Sequence, residues 1–275
     1  DLARQEDAIR VLEAAPEQPV VMYWRAYLQR DRAPEESEQL LRRAESLSPE
    51  LAYPYRTETT RVLEWVDEQN SSWKTRYYLG LVHWAHRRPE RTWDLWASLG
   101  DTPDFAPFYL TRGLLAEQIE AGSQKADFER ALALAPDEWR GWHHRIEYAL
   151  EYGNPADLVD RARQAYEQFS ENYVIGMDYA RVLLAVEDFA TCLKVLEEIR
   201  VLPYEGAGEG HNLWVSANVH RGLELLKSGD HEAAREHFEQ AATWPEHLGV
   251  GRPYHPDMRM ADYLRAEALR RAGEE

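Results

Sequence analysis

Residues 211–245, HNLWVSANVHRGLELLKSGDHEAAREHFEQAATWP, decide the fold of this chain. The break at SGD separates two segments with helical spacing of apolar residues. The first segment carries Gly222, and the second carries Ala234, Phe238 and Ala241. Small residues on facing helices allow a close approach, and a ring then fills the space toward the next pair. The stretch therefore predicts a helical hairpin.

The hairpin pattern recurs along the chain at a fixed interval. A small or apolar residue that belongs to the second helix returns every 34 residues, at Ala97, Ala131, Ala165 and Ile199. The next occurrence is Ala241, and the loop Leu202–Gly210 accounts for the longer step. A period near 34 residues is typical of tetratricopeptide repeats.

Apolar spacing and breaker residues predict fifteen helices. Their spans are 4–15, 18–30, 35–48, 55–69, 72–87, 89–99, 104–121, 124–135, 137–152, 155–169, 171–186, 188–200, 211–228, 230–243 and 257–273. We predict an all-α fold, an α/α superhelix of about seven tetratricopeptide-like hairpins in one continuous domain over residues 1–275. Stacking of neighbouring hairpins supplies the core, and the last helix either caps the array or marks a cut in the chain.

Composition and charge exclude several classes of protein. The formal net charge of −17 disfavours phosphate backbones and anionic membranes, so we predict neither nucleic-acid nor membrane binding. Cys192 is the sole cysteine, which excludes an internal disulfide and a cysteine zinc site. No apolar run is long enough to cross a bilayer. We expect a cytoplasmic protein, and a chain opening at Asp1 is expected to be a piece of a longer one.

Five segments are not explained by the repeat alone. They are YPYRTETTRVLEW (53–65), WKTRYYLGL (73–81), PDFAPFYLTR (103–112), LPYEGAGEG (202–210) and WPEHLGVGRPYHPD (244–257). Together they resemble the C-terminal tetratricopeptide region of large bacterial proteins, and the resemblance covers essentially the whole chain. His247 departs from it, because Asn is expected there. The resemblance implies a preceding β-rich domain of unknown function with sugar-mutarotase-like character, and a link to carbohydrate metabolism.

Two glycine-rich loops are the first candidate binding site. One carries Glu205 and Glu209, and the other carries Trp244, Arg252 and Tyr254. Carboxylates, a guanidinium and aromatic rings suit a polyhydroxylated ligand or a peptide, and both loops leave neighbouring repeats, so we expect them to meet at one edge. The alternative is structural: glycine permits tight turns, and Arg252 pairs with a glutamate as a brace.

The helix predicted at 211–228 carries a second candidate surface. Trp214, Asn218 and Arg221 share one stripe of this helix and are candidates for lining a concave groove. Ordinary packing against the next repeat is the alternative, because Trp is often a buried gap-filler.

Spacing gives no metal or catalytic motif. His231 and His237 stand six residues apart, two more than HExxH requires. His144 and Glu147 share a helix face, but two ligands do not make a site. Cys192 is expected to be buried and inert. We therefore predict no metal, no cofactor and no catalytic residue.

Two hypotheses about function follow. The first is a protein-interaction module that presents its groove and edge loops to a protein or peptide, to its own N-terminal β-domains or to an identical subunit. The second is a helical component of a carbohydrate-active, glycoside-processing enzyme. In that case the region of Glu205, Glu209, Trp244 and Arg252 completes a sugar site together with the other domains. The chain by itself is not predicted to be an enzyme.

Overall fold

The protein is described by a computed structural model that covers residues 2–273. Within that range it contains fifteen α-helices, two short 3₁₀-helices (Pro155–Leu158 and Glu246–Leu248) and no strand. Helices α1 to α15 span Leu2–Glu13, Pro19–Gln29, Pro34–Ser46, Thr57–Gln69, Trp73–Ala85, Pro89–Ala97, Ala106–Gln118, Gln124–Leu134, Trp139–Tyr152, Val159–Gln168, Tyr173–Ala185, Phe189–Glu198, Glu209–Ser228, His231–Ala241 and Arg259–Ala272. Each predicted span overlaps one of them, with ends that differ by at most four residues. The prediction of an all-α, tetratricopeptide-like fold is confirmed.

Side-chain caps mark the starts of some helices. Asp188 accepts a hydrogen bond from the backbone N–H of Thr191, and Asp230 accepts one from Ala233, which caps α12 and α14. Gly229 ends α13 with φ of 87°, a left-handed conformation that favours glycine. The break at SGD is therefore both a stop and a start signal.

The chain divides into two compact units, Asp1–Ala135 and Pro136–Glu275. The prediction of a single continuous domain over 1–275 stays a prediction. In the first unit α2 packs on α3, α5 on α6 and α7 on α8, while α4 contacts α2 and α5. Its core is aromatic: ring centroids of neighbours among Tyr77, Trp96 and Phe108 lie 5.8–6.0 Å apart.

In the second unit α11 packs on α12 and α13 on α14, and α9 contacts α10 and α11. Helix α15 lies against α14, where Leu226, Ala234, Phe238 and Ala268 form a buried cluster. Helix α15 thus covers the apolar side of the α13/α14 hairpin.

Three glycines of first helices lie directly against an aromatic ring of the paired second helix. The pairs are Gly80 with Trp96, Gly113 with Phe128, and Gly222 with Phe238. A Cβ atom at any of these glycines would stand 2.0–2.5 Å from the ring. Close approach therefore requires glycine here, which confirms the predicted role of Gly222. The Phe238 ring, predicted to fill the space toward the next pair, lies on Gly222 of its own hairpin as well as in the cluster with Ala268 of α15.

One predicted repeat position is wrong. Ala97 is exposed, whereas Leu99 is 8% exposed and takes the buried position. The reason is the ring of Trp96, which fills the place facing Gly80, so the residue three positions further along shares its buried face. The later positions Ala131, Ala165, Ile199 and Ala241 are buried as predicted.

Candidate functional site

The two glycine-rich loops adjoin, as expected. The backbone N–H of Val201 donates to the carbonyl of His247 at 2.8 Å, and Gly210 lies so close to Leu248 that a Cβ atom would meet its carbonyl oxygen at 3.0 Å. The ring Nε2 of His247 lies 3.0 Å from the carbonyl oxygen of Leu196. His247, where the resemblance leads us to expect Asn, therefore links this loop to α12.

The aromatic and basic residues of the second loop form a small stack. The Trp244 indole lies parallel to the His211 ring at 4.6 Å, and the Arg252 guanidinium carbon is 5.6 Å from the indole centroid. The structural alternative for Arg252 named a glutamate, but its described contact is this ring. Tyr254 is 92% exposed and contacts His255. Glu205 is exposed in its turn.

Next to this stack lies a cavity of about 320 Å³ in the second unit. Its lining includes His211, Asn212, Trp244, Asp257 and Met258. This volume is at the lower end of the range for small-molecule pockets. The loop region therefore offers a ring, polar groups and space in one place.

The stripe Trp214, Asn218 and Arg221 does not form one exposed surface. Trp214 is 6% exposed and donates to the carbonyl of Gln240 at 2.9 Å. Asn218 is 1% exposed and lies 2.9 Å from His237 Nδ1 through its Oδ1 atom. Both brace the α13/α14 hairpin, which favours the packing alternative. Arg221 is half-buried and pairs with the nearby Glu224 at 3.0 Å.

A network that sequence reasoning missed joins α9, α11 and α13. Asp178 of α11 is fully buried, and its Oδ2 lies 2.8 Å from Nδ1 of His143 on α9. Arg181 forms an ion pair with Asp178, a second with Glu147 of α9 at 3.1 Å, and a third with Glu209 of α13 at 3.4 Å. Glu209, which was predicted as a loop residue, is the first residue of α13, and its side chain contacts Arg181 of α11.

Burial and charge act in opposite directions on the two adjacent histidines of α9. Burial opposes the charged form of His143, but the hydrogen bond and charge of Asp178, with the charge of Glu147, outweigh it and raise its pKa. Burial lowers the pKa of His144, and the neighbouring His143 adds to this effect. The pair therefore holds one imidazole that favours a proton and one that favours the neutral form.

His143, His144 and Glu147 also converge in space. One nitrogen of each imidazole and one carboxylate oxygen all lie within 4.8 Å of one another. His144 and Glu147 share a helix face, and the adjacent residue His143, which the spacing does not point to, supplies the third donor. The ring centroids of the two histidines lie 5.0 Å apart, so neighbouring positions on one helix still bring their rings together.

Cys192 is buried, as predicted. Its Sγ donates to the carbonyl of Ala180 at 3.4 Å, and burial, with the charge of Asp188, raises its pKa to about 12. A thiol held in this way is a poor nucleophile.

Among residues 2–273, no helix is long and apolar enough to cross a membrane.

Comparison with known proteins finds similar solved structures but no matching family. No protein-family model and no curated protein matches it. It is similar to a tetratricopeptide repeat protein from Parabacteroides merdae, with 13% identity, a TM-score of 0.43, and 96% of this chain and 90% of that chain covered. It is also similar to yeast Tom70, with 13% identity, a TM-score of 0.41, and 98% of this chain and 59% of Tom70 covered. The chain thus spans less than two thirds of Tom70.

Proposed function

We propose that the chain is a protein-interaction module, and that the face formed by α9, α11 and α13 binds a partner protein or peptide. The observation that carries this proposal is the row of partly exposed ionic side chains His143, Glu147, Arg181 and Glu209, called the charged row below. Ion pairs from α11 to α9 and from α11 to α13 hold the row in one arrangement. A surface that is ordered before binding loses less entropy when a partner docks.

The charge of the row indicates the chemistry of the partner. Glu147 and Glu209 flank Arg181, and their side chains are 41% and 43% exposed. The chain as a whole carries a formal charge of −17. Complementary charge steers association and suppresses wrong partners, so we expect a segment with lysine or arginine side chains. The β-rich domain that the resemblance implies, or a second copy of the chain, is a candidate source of such a segment.

Selection from a displayed random-peptide library tests this proposal. We expect the wild-type chain to enrich basic peptides at low ionic strength, and the variant Glu147→Lys/Glu209→Lys to bind the selected peptides about tenfold more weakly. The variant Glu171→Lys/Glu236→Lys, which changes the net charge equally at exposed sites of the same unit, is the control. Equal loss in both variants, or enrichment of acidic peptides, contradicts the proposal. A chelator in all buffers keeps metal ions out of the result.

The loop region supports a second candidate function, a sugar site within a larger carbohydrate-active protein. The specific observation is the half-buried Trp244 ring beside the 320 Å³ cavity, with Arg252 and Asp257 close by. Titration calorimetry with short oligosaccharides tests it on the longest available form of the protein. We expect a heat of binding that is lost in Trp244→Ala and retained in Trp93→Ala. Absence of a heat of binding in the unsubstituted protein contradicts the proposal.

A further inference from the structure

We propose that His143, His144 and Glu147 bind one divalent transition-metal ion of the zinc type, with Asp178 orienting His143 from behind. Two imidazoles and one carboxylate are a donor set that Zn²⁺ accepts, leaving a fourth position open. Nitrogen donors favour Zn²⁺, Co²⁺, Ni²⁺ and Cu²⁺ over Mg²⁺ and Ca²⁺. The proposed site shares His143 and Glu147 with the charged row, but its test measures metal binding without any peptide.

The first support is the distance between two of the three donors. Nε2 of His143 and Oε2 of Glu147 lie 3.3 Å apart. Two ligand atoms of a tetrahedral zinc site with bonds near 2.0 Å stand about 3.3 Å from each other. These two atoms therefore already have the separation that a shared ion requires. One nitrogen of His144 lies within 4.8 Å of a donor atom of each of the other two residues, so all three side chains converge on one place.

The second support is the use of the outer atoms of the same side chains. The outer nitrogen of His143, Nδ1, is engaged by Asp178 at 2.8 Å. The outer oxygen of Glu147, Oε1, accepts from both terminal nitrogens of Arg181 at 3.1 Å. Metal-binding histidines commonly donate their second nitrogen to a carboxylate, which fixes the ring and raises its basicity. The arrangement leaves the inner atoms Nε2 and Oε2 facing each other.

The third support is the charge balance. Three carboxylates, Asp178, Glu147 and Glu209, surround the single guanidinium of Arg181. With neutral imidazoles this group carries a net charge of −2, which a divalent cation neutralises. The same contacts therefore serve as an ion-pair network when empty and as a prepared site when loaded.

Zinc titration of the untagged chain against a competing chromophoric chelator tests the proposal. We expect one Zn²⁺ per chain. His144→Gln and Glu147→Gln should each raise the Kd about tenfold or more, and Asp178→Asn should raise it by about 10- to 100-fold through loss of the orienting contact. The matched control His255→Gln removes an exposed histidine of the same unit and should leave the Kd unchanged.

A second measurement keeps the result independent of variant folding. Co²⁺ added to the wild-type chain should give the visible absorption of a low-symmetry site, and Zn²⁺ should displace it stoichiometrically. Circular dichroism checks that each variant is folded. Substitution of Glu147 is the least disruptive of these changes, because 41% of its side chain is exposed. Absence of stoichiometric zinc binding by the wild-type chain overturns the proposal. Binding that folded His144→Gln and Glu147→Gln retain at full strength also overturns it.

Discussion

Arg112 of α7 and Asp127 of α8 form a buried ion pair in which three nitrogen–oxygen distances lie between 2.5 and 3.1 Å. Only 10% and 3% of the two side chains is exposed. Arg112 also donates to the carbonyls of Gly100 at 2.7 Å and Trp96 at 3.3 Å. One guanidinium thus connects the α7/α8 hairpin to the end of α6.

Removing one partner of this pair should destabilise the first unit. We expect Asp127→Ala to lower the free energy of unfolding by about 3–5 kcal/mol, because the guanidinium stays buried without its counter-charge. The double variant Arg112→Met/Asp127→Leu should recover most of the loss. Urea unfolding followed by circular dichroism measures both. A loss below about 1 kcal/mol in the single variant contradicts the assignment.

The contact between Gly80 and Trp96 should reverse the usual preference for alanine in helices. Gly80→Ala should destabilise the chain by about 1–3 kcal/mol, since the new methyl group overlaps the indole and overpacking exceeds the gain in helix propensity. The control is Gly251→Ala, where a Cβ meets nothing within 4 Å. Thermal unfolding of the two variants compares them directly. A higher Tm for Gly80→Ala is the contrary result.

The buried His83 should make the stability of the first unit depend on pH. Burial lowers its pKa, and the charges of Arg88 and Arg91 add to this effect, while Glu64 opposes it and His86 supports it. The unfolded chain therefore binds the proton first. The free energy of unfolding should be constant above the ordinary histidine pKa of about 6.5 and fall as the pH drops below it.

Urea unfolding at several pH values between 8 and 5 measures this dependence. His83→Gln should flatten the curve for the first unit. His255→Gln, an exposed histidine, is the control and should leave the slope as it is. An unchanged slope in His83→Gln excludes His83 as the source.

Arg181 should contribute more to stability than an ordinary surface arginine. Arg181→Met leaves the fully buried Asp178 without its guanidinium partner, while the described contact with His143 stays. We expect a loss of roughly 3 kcal/mol, the lower end for a broken buried pair. Arg163→Met is the matched control, because Arg163 pairs with Asp160 at an exposed site. Urea unfolding of the second unit separates the two. Equal effects of the two substitutions argue against the network.

The helices were predictable because their signals are local, but the charged row was not. Its contacts join His143 to Asp178 and Glu147 to Arg181, which are 35 and 34 positions apart. These intervals match the repeat period, so residues one period apart on first helices lie side by side. Polar residues that recur at this interval are therefore the sequence signal that predicts such contacts.

Two other differences have physical reasons of the same kind. Trp214 and Asn218 share a stripe of α13 that a helical wheel cannot assign to groove or interior, because α14 decides which side is covered. Ala97 was misplaced because a fixed step of 34 residues ignores the extra room taken by the Trp96 ring. Periodicity describes an average repeat, and individual rings shift it.

The reactivity of the single thiol, Cys192, can report how often the second unit opens. Cys192 is closed off between α11 and α12 and keeps its proton, so a sulfhydryl reagent has nothing to attack until those helices part. On separation the thiol regains an ordinary pKa near 8.5 and reacts. When the reagent reacts faster than the helices reclose, the labelling rate equals the rate of opening, and at low reagent concentration it reports the population of the open state. Any molecule whose binding stabilises the packing of α11 against its neighbours will lower the labelling rate of Cys192, whatever the chemical nature of that molecule.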